Sequence, residues 1–494
     1  MRVAPQLLSM IVGLLSLGQE VLWVRAFSFA QSGTPKAFSF VLATFLIGIA
    51  LGAQAGKAIT LRSQDLWAAS GLVLLLSAAY DLTSPWLFAL SAQHDVLPPA
   101  GAIIIALSSA LKAMIFPIAH HLGSDASGPR VGRTLSRVYM ANIIGATLGP
   151  ILFGFFLLGQ FGTQQCFVLV ALGTLVAGTC CLLRRRRTVP LIGAAACAAV
   201  GVVLFSAPEQ LIQNISGDSR QFKDLVETRQ GIITVYEGKI GGDFVYGGNA
   251  YDGRTNLDPR INSNGINRLL ILSVLKDKPA RVLMIGLSIG TWLKLVTAFP
   301  GVTRIDVIEI NPGYLKAMRG YPAQASALRD PRVRLHIDDG RRWLSAHPES
   351  RYDLVIMNTT FHWRAYISNL LSREFLGDLR RHMRPGAVLT YNATGSPDVF
   401  NTAVTVFPHA YRYNNFIVAS DFDFRPLLDT PQARLRLQAL ELDGKPLFPA
   451  GSEASVEAFV RTPFVTIQSV ASQFQRPLEV ISDRNLLTEF KYGR

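Results

Sequence analysis

The sequence has little charge and few cysteines for its length. Only 17% of its 494 residues are charged, whereas 49% are hydrophobic, which is apolar for a soluble protein. The four cysteines have neither metal-binding nor disulfide spacing, so we expect small buried hydrophobic side chains. The sequence also contains no internal repeat, no low-complexity tract and no zinc-type ligand set. It therefore gives no support to a repeat architecture, a disulfide scaffold or a metal cofactor.

Apolar residues are concentrated in the first part of the chain. Residues 1–207 hold nearly all the long apolar runs, and residues 208–494 have an ordinary globular composition. A membrane-spanning helix needs roughly 20 apolar residues. We predict a multi-pass helical membrane domain with about seven segments, near 6–30, 35–56, 66–91, 99–119, 135–159, 164–183 and 189–207.

Positive charge marks the loops between these segments. The net charge of +14 is partly due to the run 184–187, which we interpret as a topology signal and not as a nucleic-acid site. With Arg2, Arg62, Arg130 and Arg133, it predicts a cytoplasmic N-terminus in a bacterial inner membrane. Seven spans would put the soluble half outside the cytoplasm, whereas adenosyl cofactors are made inside it. Six spans remain an alternative, so the side that the soluble half faces stays open.

Two features of the apolar segments point to packing or to a polar site. Glu20 lies in the first segment, and Arg25 is its nearest potential partner, either as a structural ion pair or as part of a functional site. Glycines spaced four residues apart predict helix-packing faces. They are Gly48, Gly52 and Gly56 in the second segment and Gly145 and Gly149 in the fifth.

The soluble half is organised around residues 281–311, which predict a strand, a glycine turn, a helix and a second strand. Val282–Ile285 is a short apolar run typical of a strand buried on both faces. The turn Gly286–Gly290 follows, and Glu309 stands at the end of the second strand, about 20 residues later. Such an acid can accept hydrogen bonds from both ribose hydroxyls of a nucleotide. The GxSxG turn is a weak signal alone, and no Asp and His partners suggest an esterase.

Polar residues recur where later strands end, as ligand-binding residues of doubly wound sheets do. Asp339 follows the strand predicted at 333–337, and Asn358 follows the one at 354–357. We therefore predict an α/β Rossmann-like domain over 258–430. A linker at 208–226 and a small β-hairpin subdomain at 227–257 precede it, and a C-terminal helical extension covers 431–494.

The order of motifs resembles the membrane-fused bacterial relatives of the spermidine synthase family. The resemblance covers residues 227–419 and rests on ETRQGIITV, YDG, GLSIG, VIEIN, IDDGRRWL and YDLVIMNTTFHWRAYISNLLSREFL. In the membrane half it rests on GQEVLWVRAFSF and RVYMANIIGATLGPILFGFFLLG. It implies a transferase domain that binds decarboxylated S-adenosylmethionine, or S-adenosylmethionine itself, as a substrate.

The resemblance also assigns roles to individual residues. Gln230 would lie near the cofactor's tail. Gly286, Ser288 and Gly290 would line its cleft, with Ser288 close to the place of an acid in the family's GGGDGG turn. Glu309 would hold the ribose, and Asp339 would sit beside the adenine.

The sequence departs from the family where the diamine acceptor would bind. The acids of the family's DExxYxE pattern are replaced, and the matching positions are Asn262, Ser263, Ile266 and Arg268. The first acid of the DSSDP loop is Asn358 here. An amide can orient an amine but cannot take its proton, and an amine is mostly protonated at pH 7. Another group must therefore act as the base, or putrescine is not the acceptor.

Nearby residues offer candidates for both roles. His362, with an ordinary pKa near neutrality, and Tyr366 are the candidate bases. Arg364 and Arg268 would suit an anionic or carboxylate-bearing acceptor. The expected partners are thus a small amine or anionic molecule and the lipid bilayer, with no nucleic acid, and a homodimer is left open.

Three functions compete at this point. The first is a membrane-anchored transferase moving an aminopropyl-type group onto an amine other than putrescine. The second is another S-adenosylmethionine-dependent enzyme on the same fold, such as a methyltransferase or a lyase. The third is a transporter or sensor whose soluble domain binds a nucleoside or polyamine, or is inactive.

Overall fold

Two structural units make up the chain in this computed structural model, which describes residues 4–94, 96–124, 131–184 and 191–492. The helical unit comprises Met1–Gln31, Lys36–Gln221 and Glu227–Arg229. The sheet unit comprises Ser32–Pro35, Phe222–Val226 and Gln230–Arg494.

The helical unit contains ten α-helices within its described residues. They are α1 (Ala4–Ala30), α2 (Lys36–Arg62), α3 (Leu66–Gln93), α4 (Leu97–Ala113), α5 (Ile115–Gly123), α6 (Val131–Ile151), α7 (Leu158–Gln160), α8 (Thr163–Leu183), α9 (Leu191–Ser206) and α10 (Gln210–Ile215). A π-helical stretch, Leu152–Leu157, joins α6 to α7, and α4 and α5 form one apolar stretch, Leu97–Gly123.

Six helical stretches in the described residues are long and apolar enough to cross a membrane. They match the first six predicted segments. The seventh predicted segment forms α9, which has 16 residues and is shorter than the other six. Of the cations that predicted the orientation, Arg2, Arg130 and residues 185–187 lie outside the described residues.

The glycine ladders are helix-packing faces, as predicted. A Cβ on Gly52 would collide with the backbone oxygen of Ala110 in α4, and one on Gly48 or Gly56 would meet the same helix or its end. A Cβ on Gly145 in α6 would meet the backbone of Met10 in α1. The absence of side chains thus allows the backbones to approach closely.

The predicted partner of Glu20 was wrong. Arg25 donates from Nε to Thr163 Oγ1 at 2.9 Å and pairs with Glu227 at 3.3 Å. Since both partners lie far along the chain from Arg25, sequence proximity to Glu20 was misleading.

A buried polar cluster, which the sequence analysis missed, joins four helices of this unit. Lys112 Nζ lies 2.6 Å from both carboxylate oxygens of Asp81 and 2.7 Å from Gln19 Oε1. Gln19 Nε2 and Thr174 Oγ1 donate to the same carboxylate at 2.9 and 3.1 Å. All four side chains are at most 1% exposed. Each charge therefore has a partner in a region where an unpaired charge is costly.

We expect Lys112→Met to lower the thermal unfolding midpoint of the detergent-solubilised protein strongly. It leaves the Asp81 carboxylate buried without a cation, which costs about 3–5 kcal/mol in comparable pairs. Adding Asp81→Leu should restore most of the loss, because no charge is then stranded. Ser77→Ala is the control, since its hydroxyl lies 3.4 Å from Lys112 Nζ and contributes little. An unchanged midpoint in the single variant would contradict the role given to the pair.

The sheet unit begins with a four-stranded sheet in the order β1-β2-β3-β4. Its strands are β1 (Phe222–Thr228), β2 (Gly231–Tyr236), β3 (Phe244–Gly247) and β4 (Ala250–Arg254). β2 and β3 pair antiparallel, with Val235 opposite Val245, which confirms the predicted hairpin. The pairing of β3 with β4 shifts register between Val245 and Tyr246.

An eight-stranded mixed sheet follows. In chain order its strands are β5 (Arg281–Ile285), β6 (Arg304–Glu309), β7 (Val333–Ile337), β8 (Tyr352–Met357), β9 (Met383–Asn392), β10 (His409–Tyr413), β11 (Phe416–Ser420) and, late in the chain, β14 (Phe464–Val465). The short pair β12 (Glu441–Leu442) and β13 (Lys445–Pro446) lies outside this sheet. The order is β14-β10-β11-β9-β8-β5-β6-β7.

Strands β9 to β7 in this order are parallel, and β11, β10 and β14 add antiparallel strands beyond β9. The chain runs outward from β5 through β6 to β7 and then returns to place β8 on the other side of β5. This reversal is the switch point at which doubly wound sheets bind ligands. The Rossmann-like fold predicted from the sequence is confirmed.

Short helices connect the strands. They are α11 (Asn267–Leu270), α12 (Leu272–Leu275), α13 (Thr291–Val296), α14 (Gly313–Ala317), α15 (Pro322–Ala325), α16 (Gly340–Ala346), α17 (Ser368–Leu371), α18 (Arg373–Arg381), α19 (Pro397–Val406), α20 (Pro431–Gln438), α21 (Glu453–Arg461), α22 (Ile467–Ala471) and α23 (Leu487–Phe490). α11 and α12 follow each other closely and lead into β5. The C-terminal region predicted to be helical also supplies β14 to the main sheet.

Candidate functional site

The turn after β5 brings backbone close to the end of β8. Gly286 has φ of 93°, and its N–H donates to Ile308 O at 2.9 Å. A Cβ at this position would collide with the carbonyl oxygen of Asn358. Only glycine allows both the left-handed conformation and this approach. The turn therefore holds the ends of β5, β6 and β8 together around one cleft.

Glu309, the last residue of β6, is fixed by two backbone amides. Its Oε2 accepts from Leu287 N and its Oε1 from Asn311 N, each at 2.7 Å. The residue is 4% exposed, and burial raises its pKa to about 7 despite these hydrogen bonds. Each oxygen keeps a lone pair, so the carboxylate can accept two further hydrogen bonds from a diol.

A cavity of about 260 Å³ opens beside Glu309 at the carboxyl ends of the strands. Of the residues predicted to bind the cofactor, it is lined by Gln230, Gly286, Ser288, Glu309 and Asp339. We call it the larger cavity. Its other polar lining includes the residues Asp252, Asn311, Tyr314, Asp338, Asn358, Thr359, Thr360 and Arg364.

The two acids after β7 are held differently. Asp339 caps α16 by accepting from Arg342 N at 2.9 Å. Asp338 pairs with the Arg342 side chain and accepts from the N–H of Asp339 at 2.6 Å. Both acids are thus tied to the first turn of α16, and both line the larger cavity.

A second cavity, of about 140 Å³, lies next to the first and is rich in amides. We call it the smaller cavity. Its polar side chains include those of Tyr251, Asp252, Asn264, Arg268, Ser288, Thr291, Asn358, Thr359, Asn392, Thr394 and Asn415. Four residues line both cavities, namely Asp252, Ser288, Asn358 and Thr359. The cavities therefore meet where a donor and an acceptor could react.

Asp252 is the functional candidate that the sequence analysis missed. It belongs to the YDG motif on β4, and its Oδ2 accepts from Tyr314 Oη at 2.6 Å. Burial raises its pKa, which the hydrogen bond from Tyr314 opposes. Among the described residues that line the smaller cavity, Asp252 is the one carboxylate. The motif was the available signal, but the sequence did not show that β4 faces β5 and β8.

Arg268 brings a positive charge to the smaller cavity. Its guanidinium donates to Gly265 O, Asn264 O and Asn415 Oδ1, each at 2.8 Å. It lies over the ring of Phe416 at 4.5 Å. In the described part of the chain no carboxylate forms an ion pair with it, and burial lowers its pKa to about 10. It therefore stays charged at neutral pH and disfavours a dication nearby.

Four other predicted site residues line neither cavity. Asn262 Oδ1 accepts a hydrogen bond from Asn267 N, at the start of α11, at 3.1 Å, and so has a structural role. A Cβ on Gly290 would collide with Met318, so this glycine serves packing. His362 is partly buried, and burial lowers its pKa to about 4, so it is neutral at pH 7. Tyr366 is 80% exposed.

Asn358 lies at the junction of the cavities, as its position after β8 predicts. Its N–H donates to Ile285 O at 2.9 Å, which continues the parallel pairing of β8 with β5. No group of three or more His, Cys, Asp or Glu residues that could hold a metal was found among the described residues.

Comparison with known proteins reveals a family match within the sheet unit. The family model for the spermine/spermidine synthase domain matches residues 270–409. Polyamine aminopropyltransferase 2 of Streptomyces coelicolor is 26% identical over 382 residues, which cover 72% of this chain and 67% of that protein. A polyamine aminopropyltransferase of Mycobacterium tuberculosis is 24% identical over 388 residues, covering 74% and 72% of the two chains.

A solved structure is also similar. A spermidine synthase in complex with the transition state analogue AdoDATO aligns with a TM-score of 0.39 and 18% identity. The alignment covers 51% of this chain and 86% of that one.

We expect the affinity for methylthioadenosine, an uncharged adenosine-bearing probe, to rise about tenfold between pH 6 and pH 8. With a pKa near 7, Glu309 goes from mostly protonated to mostly ionised over this interval, and only the ionised form accepts from both ribose hydroxyls. Calorimetry of the full chain in detergent measures the effect. Glu309→Gln should bind weakly at all pH values, whereas the exposed Glu349→Gln should keep the wild-type profile. A pH-independent affinity in the wild type would rule out this role for Glu309.

Proposed function

We propose that this chain, whose residues 270–409 match the spermine/spermidine synthase domain, is a membrane-anchored transferase that moves an aminopropyl-type group from an adenosyl sulfonium donor to an amine other than putrescine. The single observation that carries the proposal is the pair of adjoining cavities at the switch point. The larger one has the fixed carboxylate of Glu309 and room for an adenosine. The smaller one shares four residues with it and has space for an acceptor.

The reaction needs little covalent help from the protein. The acceptor's nitrogen attacks the methylene carbon bonded to sulfur, the carbon–sulfur bond breaks, and its electron pair goes to sulfur. The products are methylthioadenosine and the alkylated amine, and the amine's proton passes to a base. Positioning of the two reactants and removal of this proton are the contributions that the site must supply.

The lining of the smaller cavity argues against putrescine. A diammonium molecule would meet Arg268 and the amides of Asn264, Asn358, Asn392 and Asn415. Arg268 would repel it, and amides do not compensate its two charges. An acceptor with an amine at one end and a carboxylate at the other fits this lining better, because Arg268 is a ready partner for a carboxylate.

We propose Asp252 as the base. It lines both cavities, whereas His362 lines neither, and burial raises the pKa of the Asp252 carboxyl, which makes it a stronger base than an exposed aspartate. Asn358 would orient the acceptor's nitrogen from the opposite strand end. His362 and Tyr366 line neither cavity, and their role as bases stays a prediction.

The helical unit supports an anchor in the bilayer. Its six long apolar helices are what a multi-pass protein requires, and we propose an inner-membrane location for the chain.

We expect 4-aminobutyrate to be used with at least tenfold higher kcat/KM than putrescine. The two molecules share a four-carbon chain and one amine, and they differ in having a carboxylate or a second ammonium group at the far end. The full chain in detergent is assayed for methylthioadenosine release with each adenosyl donor in turn. Faster turnover of putrescine would contradict the acceptor proposal. Release of S-adenosylhomocysteine would instead favour the methyltransferase alternative.

We expect Asp252→Asn to lower kcat by about 10²–10⁴-fold, the range for loss of a general base, with little change in methylthioadenosine affinity. Tyr314→Phe provides the second readout. Removing its hydroxyl removes a hydrogen bond that favours the ionised carboxylate, so the acidic limb of the pH–rate profile should move to higher pH. If the profile does not move and Asp252→Asn stays active, another group is the base.

A further inference from the structure

One cation lines the larger cavity without a carboxylate partner. Arg364 follows β8, and its Nη1 donates to Thr360 Oγ1 at 2.9 Å. Among the described residues no carboxylate forms an ion pair with Arg364, and no other acceptor is found for its remaining guanidinium N–H groups. Since the guanidinium has five donors, most of its capacity is free for a ligand.

The turn between β3 and β4 packs closely against this guanidinium. Gly248 lies in the turn between β3 and β4 with φ of 57°, and it also lines the larger cavity. A Cβ at this position would lie 2.5 Å from Arg364 Nη2. The guanidinium therefore rests against a backbone that carries no side chain. A bulkier residue would displace it.

Arg364 stands at the end of the cavity where the two cavities meet. Gly248, against which it lies, is on the turn that leads to Asp252, and Asp252 lines both cavities. Glu309, Asp338 and Asp339 lie at other strand ends and are tied to backbone or to α16. If the adenosine sits between those acids, Arg364 faces the tail of the donor.

Decarboxylated S-adenosylmethionine carries a sulfonium and an ammonium, so its tail would bring a second positive charge towards Arg364. S-adenosylmethionine carries in addition an α-carboxylate, to which a guanidinium can make two parallel hydrogen bonds. The carboxylate of Asp252 lines the same cavity but forms no ion pair with Arg364 among the described residues, so the guanidinium is available to the donor's carboxylate. A guanidinium that lines the cavity without an ion-paired carboxylate matches the α-carboxylate of an amino-acid tail.

We propose that the donor is S-adenosylmethionine with its carboxylate bound by Arg364, so that the group transferred is 3-amino-3-carboxypropyl. This rests on the proposed function, because it uses the same cavity and the same displacement at the methylene carbon beside sulfur. The carbon–sulfur bond breaks, methylthioadenosine leaves, and the acceptor's nitrogen gains the carboxylated group and loses its proton.

The test is calorimetry of the full chain in detergent with S-adenosylmethionine, its decarboxylated form and methylthioadenosine. S-adenosylmethionine should bind at least tenfold more tightly than the decarboxylated form. Arg364→Gln should abolish this preference while leaving methylthioadenosine affinity within about twofold. Arg373→Gln is the matched control, because that side chain is exposed on α18 and pairs with Glu374.

Each outcome separates this inference from the proposed function. Tighter binding of the decarboxylated donor, or a preference that survives Arg364→Gln, overturns the carboxylate site and leaves the transferase proposal standing. No binding of any of the three molecules overturns both. Gly248→Ala offers an independent check. The added methyl group should displace the Arg364 guanidinium while the protein keeps that positive charge, so the preference for S-adenosylmethionine should fall.

Discussion

The cleft depends on a buried carboxylate held by backbone amides. Glu309 is almost inaccessible, and burying an ionised acid is costly unless it is hydrogen-bonded. The amides of Leu287 and Asn311 supply these bonds from the turn after β5 and the segment after β6. The hydrogen bonds that offset the cost of burying this carboxylate therefore also fix the distance between the ends of β5 and β6. The orientation of the carboxylate that we propose as the diol-binding group and the shape of the cleft both follow from these two hydrogen bonds.

Local sequence patterns were sufficient to predict the parallel strands and the polar residues at their carboxyl ends. The predicted strands at 282–285, 333–337 and 354–357, together with the one that Glu309 ends, predicted the sheet and the positions of Glu309, Asp339 and Asn358. β10 was missed although it forms a local hairpin with β11. β14 was missed because it pairs with β10 from a distant part of the chain, and Phe464–Val465 has no strand signal of its own. Asp252 was missed for the same reason, since its relation to Asn358 exists only after β4 has been placed.

The helical unit shows a related limit. A search for apolar runs averages over a window, so a single Asp81 or Lys112 is diluted by its neighbours. Their pairing joins α3 to α4 over 31 residues, and Gln19 and Thr174 reach the same carboxylate from α1 and α8. In an apolar surrounding each partner is tolerated because of the other. The pair thus fixes how these helices pack, which hydrophobicity alone leaves undetermined.

The charged and amide side chains that line the two cavities form a coherent chemical set. A site that had only lost its function would have no reason to retain the Gly286 approach, the amide-bound Glu309 and two open cavities. Each cavity contains a guanidinium, Arg268 in the smaller cavity and Arg364 in the larger one, and neither forms an ion pair with a carboxylate among the described residues. Two guanidinium groups without an ion-paired carboxylate, beside the cleft that we propose for adenosine, fit carboxylate-bearing reactants better than loss of function. The change from diammonium to amino-acid chemistry would then involve both reactants, because the cavities share the residues between which the new bond forms.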